Sequence, residues 1–533
     1  MNPAPDLVLF NADIRTMDDE VPRAEAVAIC GNKITAVGSS IEIRALASRQ
    51  TRQIDAERRL VLPGFNDAHV HFVAGGFQLS NVDLRDAKSP AELARRIGAH
   101  AKKLPAGCWI TGGEWDHENW PGALLPEKNL IDAVTPAHPV FVQRTDGHMA
   151  LANSLALKIS GIVRETKDVP GGLIVRDERG EPTGVLKDAA MPLVEKLIPT
   201  PTFGEQISAA RAAGEYAASL GVTSVQDMSA DRDVAVYQTL LERGELETRI
   251  YAVRSIVSRE TLLSRHGEFG DDVLRVGGLK GFSDGSLGSS TALFFESYSD
   301  APENHGLLFD QMLPEGIMLG RVRAADRAHL QVMIHAIGDE ANFRVLEIFK
   351  QAAEQNGPRD RRFRIEHAQH LRPQEVPRFG AEGVIPSMQP YHAIDDGRWC
   401  EKRIGRDRCK TAYAIRSLLD SGARVAFGTD WPVAPLNPMP SIYAAVTRRT
   451  LDGKNPGGWF PEQRISVAEA VRCYTANSAY AEFAENVKGT LTPGKLADLV
   501  MLDRNIFTID PLEIATAKVL LTLADGSIVF ERR

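Results

Sequence analysis

Cysteine is scarce in this 533-residue chain: Cys30, Cys108, Cys400, Cys409 and Cys473 are the whole set, with no Cys-x-x-Cys spacing. That excludes a disulfide framework and a cysteine-rich zinc module, and it fits a reducing compartment. Long apolar runs are also missing, so no membrane partner is expected. The opening Met1-Asn-Pro-Ala-Pro-Asp6 lacks the basic stretch and apolar run of a secretory signal, making the cytoplasm the expected location. Charge of one sign is not in large excess: a net charge of -8 gives no footing for nucleic acid or an anionic lipid surface. Hydrophobic residues at 43% and charged residues at 25% are those of an ordinary globular protein large enough for more than one structural unit. Cys400 and Cys409 share one polar segment and read as solvent-tolerant loop cysteines.

What is present has two textures. Residues 6–60 hold short alternating runs broken by turn residues, as at 7–10, 26–29 and 33–37, and the same texture returns at 497–502, 518–522 and 527–530. These read as antiparallel strands of one small β-sandwich built from both chain ends, 1–60 with 490–533. Between them, short apolar runs alternate with helix-compatible stretches. The runs lie at 221–225, 249–253, 276–280, 331–334, 363–365, 383–387 and 424–427, and the helical stretches include 340–355, 416–421 and 466–482. With the strand at 65–71 this makes eight parallel strands. The expected fold is therefore α/β, a (β/α)₈ barrel over 61–489 with its chemistry at the strands' C-terminal ends. A doubly wound sheet would need a glycine-rich phosphate loop after an early strand, and none is seen. The stretch 74–206 is too long for one crossover, so it reads as an inserted subdomain roofing the pocket, with Trp109, Trp115 and Trp120 as packing residues.

The informative cluster begins in Gly64-Phe-Asn-Asp-Ala-His-Val-His-Phe72. On a strand, side chains alternate between faces, so His69 and His71 point one way and Val70 the other. Two converging neutral imidazoles are half a metal site. Other potential ligands end other strands: Lys280 the fourth, His335 the fifth, His367 the sixth and Asp430 the eighth. Singly, each has an ordinary structural explanation. Together they meet at one barrel mouth, which packing alone does not require. Gln389 and His392 follow the seventh strand, open to either conformation-setting or substrate contact. Asp284 and Ser286 follow Lys280 and are placed to orient it. Glu366, next to His367 on a strand, is expected to face away.

The chain resembles the amidohydrolase superfamily, in the branch of N-substituted formamide deformylases. The likeness rests on Pro63-Gly-Phe-Asn-Asp-Ala-His-Val-His71, Arg144-Thr-Asp-Gly-His-Met-Ala150, Lys280 through Ser289, His335-Ala-Ile-Gly-Asp339, Ile365-Glu-His-Ala-Gln369, Met388-Gln-Pro390, Gly428-Thr-Asp-Trp-Pro432 and Gly494-Lys-Leu-Ala-Asp-Leu-Val500. It implies that His69, His71 and Asp430 bind one metal and that His335 with His367 bind a second. It further implies that Lys280, converted to a carbamate, bridges them; Lys187, in the insertion, is the competing lysine. Two zinc ions suit this donor set, with iron, manganese or cobalt as substitutes. The implied reaction is attack of a metal-bound hydroxide on a non-peptide C–N bond, such as an N-formyl or N-acyl amide, with Asp430 carrying the proton. Substrate-binding roles are expected for His148, Asp284, Gln389 and His392. Ring deamination at one metal, using Asp339 as acid, and lactone or ester hydrolysis are the alternatives. The expected partner is a small-molecule amide, and the resemblance leaves a homo-oligomer open.

Overall fold

The computed structural model describes residues 4–117, 120–122, 124–145, 147, 149–169, 172–188, 190–228, 231–258 and 271–532. They form two compact units, 1–73 with 210–533 and, separately, 74–209. No described helix is long and apolar enough to cross a membrane.

The first unit contains the barrel. Its eight strands are β1 (Phe65–Val70), β2 (Val222–Asp227), β3 (Arg249–Ser255), β4 (Leu274–Phe282), β5 (Gln331–Ala336), β6 (Arg364–His367), β7 (Ile385–Met388) and β8 (Ala426–Phe427). They lie side by side in sequence order, all parallel, which is the arrangement expected from the alternating pattern. Both faces of such a sheet are covered, which is why runs such as Val332-Met-Ile334 are continuously apolar. β8 is only two residues long. The ring closes beyond it, where the Asp430 N–H donates to the His69 carbonyl and the His71 N–H to the Trp431 carbonyl, each at 2.7 Å. The backbone that seals the barrel thus belongs to three of the residues expected to ligate metal, His69, His71 and Asp430.

Both chain ends contribute to the two sheets beside the barrel. One holds Lys33–Gly38, Ala26–Cys30, Leu7–Phe10 and Arg52–Asp55. The other interleaves the termini in the order Ser527–Glu531, Val519–Ala524, Leu499–Leu502, Leu60–Pro63, Asp13–Arg15 and Arg23–Ala24. Leu7, Leu9, Val27 and Ile29 of the first sheet pack with Ile14, Val61, Leu499, Leu521 and Leu523 of the second. This is the sandwich geometry, with alternate residues facing a shared apolar interior.

The second unit has a six-stranded sheet of its own, running from Gly172–Arg176 to Val82–Asp83. Trp115 and Trp120 stack at 6.1 Å in its core, and their indole N–H groups donate to the carbonyls of Val142 and Ala87.

Two local expectations fail. The stretch 466–482 is two helices, Val467–Cys473 and Ala476–Ala481, broken at Thr475, whose backbone leaves the helical region and whose hydroxyl caps the Val471 carbonyl at 2.8 Å. Cys400 and Cys409 are not loop cysteines. Both are fully buried with their sulfurs 3.3 Å apart, because the short helices Cys400–Ile404 and Arg406–Cys409 turn Lys402, Arg406 and Asp407 outward.

Candidate metal centre

Strand alternation brings His69 and His71 into the barrel mouth, where their Nε2 atoms lie 3.5 and 3.4 Å from Asp430 Oδ1. His367, whose ring lies 5.0 Å from that of His69, and His392 form a second group with the same carboxylate. Within each trio, one potential ligand atom per residue lies within 4.8 Å of the others. Asp430 belongs to both groups. It reaches them from a left-handed backbone, φ 60°, and His367 and Ala368 have φ 77° and 44°. Such conformations are costly for residues other than glycine and are held only where surrounding contacts enforce them.

The left-handed turn at His367 has a consequence for its neighbour. Alternation along β6 would send Glu366 away from the site, but both side chains face inward. Glu366 Oε2 sits 2.6 Å from His69 Nδ1, with Glu366 fully buried. The expectation that Glu366 faces away is therefore corrected. Arg364, two residues earlier on the same face and also fully buried, bonds both Glu366 oxygens at 2.8 and 3.2 Å. Burial pushes the Glu366 carboxyl up, but the Arg364 guanidinium and the His69 contact outweigh it and hold the acid well below the ordinary range.

The buried imidazoles of His69, His335 and His367 are kept neutral. Burial, then the Lys280 cation, lowers His69 to about 4 and His335 to about 3, and burial lowers His367 well below its usual value. A carboxylate can only accept, so His69 Nδ1 carries its proton toward Glu366 and Nε2 is left with a lone pair. His367 Nδ1 is bonded in the same way to Gln389 Oε1 at 2.8 Å. Lys280 is buried among these groups, and desolvation, partly offset by Glu366 and Asp430, brings its amine down to about 8. An amine so placed is neutral often enough to react with CO₂.

Asp67, two residues before His69, was not singled out by sequence. Its buried carboxylate accepts from the Thr429 N–H at 2.9 Å and the Thr429 hydroxyl at 2.6 Å, pinning the loop that presents Asp430. Burial raises it to about 7.

Other expected residues are placed differently. His335 packs its ring 4.6 Å from His367, but its Nε2 turns to the Gly285 carbonyl at 3.0 Å. Among the described residues it is His392 that joins His367 and Asp430 in a group that could hold an ion. Asp284 is buried and accepts three backbone N–H groups, from Leu293, Ile337 and Gly338, at 2.8 to 3.0 Å. It ties together the loops after β4 and β5, with His335 Nε2 3.6 Å from its Oδ1. Ser286 bonds Ser289 at 2.8 Å and also serves that loop. Gln389, equally buried, bonds His367 Nδ1 and the Ser387 carbonyl, the latter at 3.3 Å. Lys187 lies in the strand Pro182–Asp188 of the second unit, paired with Met149 and Leu173. His148 lies outside the described residues.

Imidazole nitrogens gathered around one shared carboxylate, beside a buried lysine, are a donor set that fits divalent metal. A model of the family described as "Amidohydrolase family" matches residues 52–530. The chain belongs to the amidohydrolase family. Among curated relatives of this amidohydrolase, Protein LONG AFTER FAR-RED 3 of Arabidopsis thaliana is 39% identical, covering 98% of this chain and 91% of the relative. The N-substituted formamide deformylase of Arthrobacter pascens is 27% identical, covering 99% and 98%. A solved structure of an uncharacterized metal-dependent hydrolase from Pyrococcus furiosus superposes with a TM-score of 0.76 at 30% identity, over 94% of this chain and all of that one. The chain is thus a metal-dependent hydrolase of the amidohydrolase superfamily.

Proposed function

We propose that this amidohydrolase cleaves a non-peptide C–N bond, in an N-formyl or N-acyl amine, using two zinc ions or a substituting iron, manganese or cobalt pair. The observation that carries the reading is Asp430, shared between the His69/His71 and His367/His392 groups beside Lys280. Divalent ions held there would supply the acidity that makes water a nucleophile at neutral pH and would polarise the substrate carbonyl.

The chain's own residues supply the rest. Lys280, as the free amine, could add to CO₂ with loss of a proton, and the resulting carbamate would offer anionic oxygen donors where an ammonium offers none. Asp430 accepts the proton released by water and delivers it to the departing amine, a transfer that requires one carboxylate oxygen to be free of ligation. Phe282 follows Lys280 by two residues on β4 and therefore shares its face. Its ring lies 5.3 Å from His335 and 5.2 Å from Phe309, which is 39% exposed. This apolar flank supports a hydrocarbon substituent on the substrate. The similarity to a deformylase of N-substituted formamides supports the same class. Asp339, the acid that ring deamination would use, is buried and caps the Phe295 N–H at 3.1 Å. That contact weighs against deamination.

The test is a hydrolysis screen of metal-replete protein over N-formyl amines, N-acyl amino acids, cyclic amides, lactones and ring amines. Amine release from the acyl or formyl substrates, abolished by Lys280→Ala together with loss of metal, is the expected result. Ammonia release from ring amines alone contradicts the proposal.

A further inference from the structure

The two halves of the mouth are not equivalent, and the difference lies one bond behind the histidines. His69 gives its Nδ1 proton to a carboxylate, Glu366, at 2.6 Å. His367 gives its own to a neutral amide, Gln389, at 2.8 Å. Glu366 is held as a fixed anion. Arg364 bonds both its oxygens, and that guanidinium is itself anchored to Gln226, to the Ala68 carbonyl at 2.7 Å and to the Ser387 hydroxyl at 3.0 Å. Gln226 continues the chain to the Ser478 carbonyl at 2.8 Å. The network ties β1, β2, β6 and β7 together below the mouth, with no flexible surface side chain among its members. Gln389 has one further bond, to the Ser387 carbonyl of its own strand.

An anionic acceptor draws the Nδ1 proton more strongly than a neutral one and makes the opposite nitrogen a better donor. We infer that Glu366 is the positioning residue that makes the His69/His71 half a tight ion site, while Gln389 leaves the His367/His392 half a weaker and more exchangeable one. The two ions are therefore unequal. An ion beside His367 would be fed less electron density through its histidine and would be the more acidic of the two. This rests on the two-ion reading above and adds the order in which the ions are held.

The experiment is equilibrium binding of Zn²⁺ to the metal-free protein against a competing chelator, repeated with Co²⁺ to follow each site by its absorption spectrum. Wild-type protein is expected to show two classes of site. Glu366→Gln is expected to weaken the tight class by roughly 10- to 100-fold and to leave the loose class in place. Gln389→Glu, the reciprocal change, is expected to tighten the loose class. Because Glu366→Gln strands a buried guanidinium and so risks misfolding, the paired variant Glu366→Gln with Arg364→Met is measured beside it and is expected to lose the tight class likewise. A second readout needs no metal: the imidazole ¹⁵N shifts of His69 in the metal-free protein should report an Nδ1–H tautomer in wild type and a mixture in Glu366→Gln. Two classes whose affinities do not respond to either substitution overturn the inference, as does equal affinity in the wild type. Protein that binds no divalent ion overturns the functional reading itself.

Discussion

The terminal sandwich and the barrel mouth are both buried, yet they are built from opposite materials. The sandwich interior is hydrocarbon: Leu9, Ile14, Val27, Val61, Leu499 and Leu523 meet with no charged side chain among them. The mouth and the layer beneath it bury His69, Lys280, Arg364, Glu366, Asp67 and Asp430. Burying apolar surface is favourable wherever the pieces fit. Burying charge costs several kcal/mol per ion unless each ion is paired and hydrogen-bonded. One interior therefore accounts for stability. The other is a cost that the surrounding barrel must carry, and it is where the proposed metal centre lies.

The sharpest way to break the comparison is at Asp430. Asp430→Ala removes the carboxylate common to both histidine groups. It should lower turnover by at least about 10²- to 10⁴-fold and reduce bound metal, with little change in the thermal midpoint of the metal-free protein. A matched substitution in the sandwich, Leu523→Ala, should do the reverse. It should cost about 2–5 kcal/mol of unfolding free energy, measured by urea denaturation, while the folded fraction keeps its metal content and specific activity. Arg364→Leu separates size from charge. It leaves Glu366 buried without its cation and should cost about 3–5 kcal/mol, whereas Arg364→Leu with Glu366→Met should recover most of that stability without recovering metal retention.

The smallest effect concerns Asp396, which accepts from the Tyr413 hydroxyl at 2.5 Å and Gln369 at 2.8 Å and is pushed up to about 7 by burial. A carboxyl raised on folding binds its proton more tightly in the folded chain. Its contribution to stability is therefore complete at low pH and declines as pH rises toward 7. Asp396→Asn should gain stability relative to wild type between pH 5 and pH 8, read from urea midpoints. A constant difference across that range would show that Asp396 ionises alike in both states.

Much of this was legible in the residues. Apolar runs of strand length, alternating with helical stretches, suffice to place eight parallel strands, because a doubly covered strand has no polar face to disguise it. His69, His71, Lys280, His367 and Asp430 could be found because each ends such a run. What could not be read depends on dihedral angles and on partners far away in the chain. Glu366 looks outward by alternation, and only the left-handed φ of His367 returns both residues to the interior. Asp284 and Gln389 sit where substrate contacts are expected, but whether their polar atoms are already taken depends on backbone N–H groups and a histidine from other segments. The Cys400 segment hides its buried face among charges, although Cys400 and Ile404, four residues apart, lie on one side of a helix.

The central claim is that one carboxylate stands between two ions of unequal hold. Anomalous scattering from crystals of the metal-replete protein tests it directly. The account predicts two peaks flanking Asp430, one against His69 and His71 and one against His367 and His392, with the second fading first as chelator is soaked in. A single peak, or a pair that does not share Asp430, would contradict it.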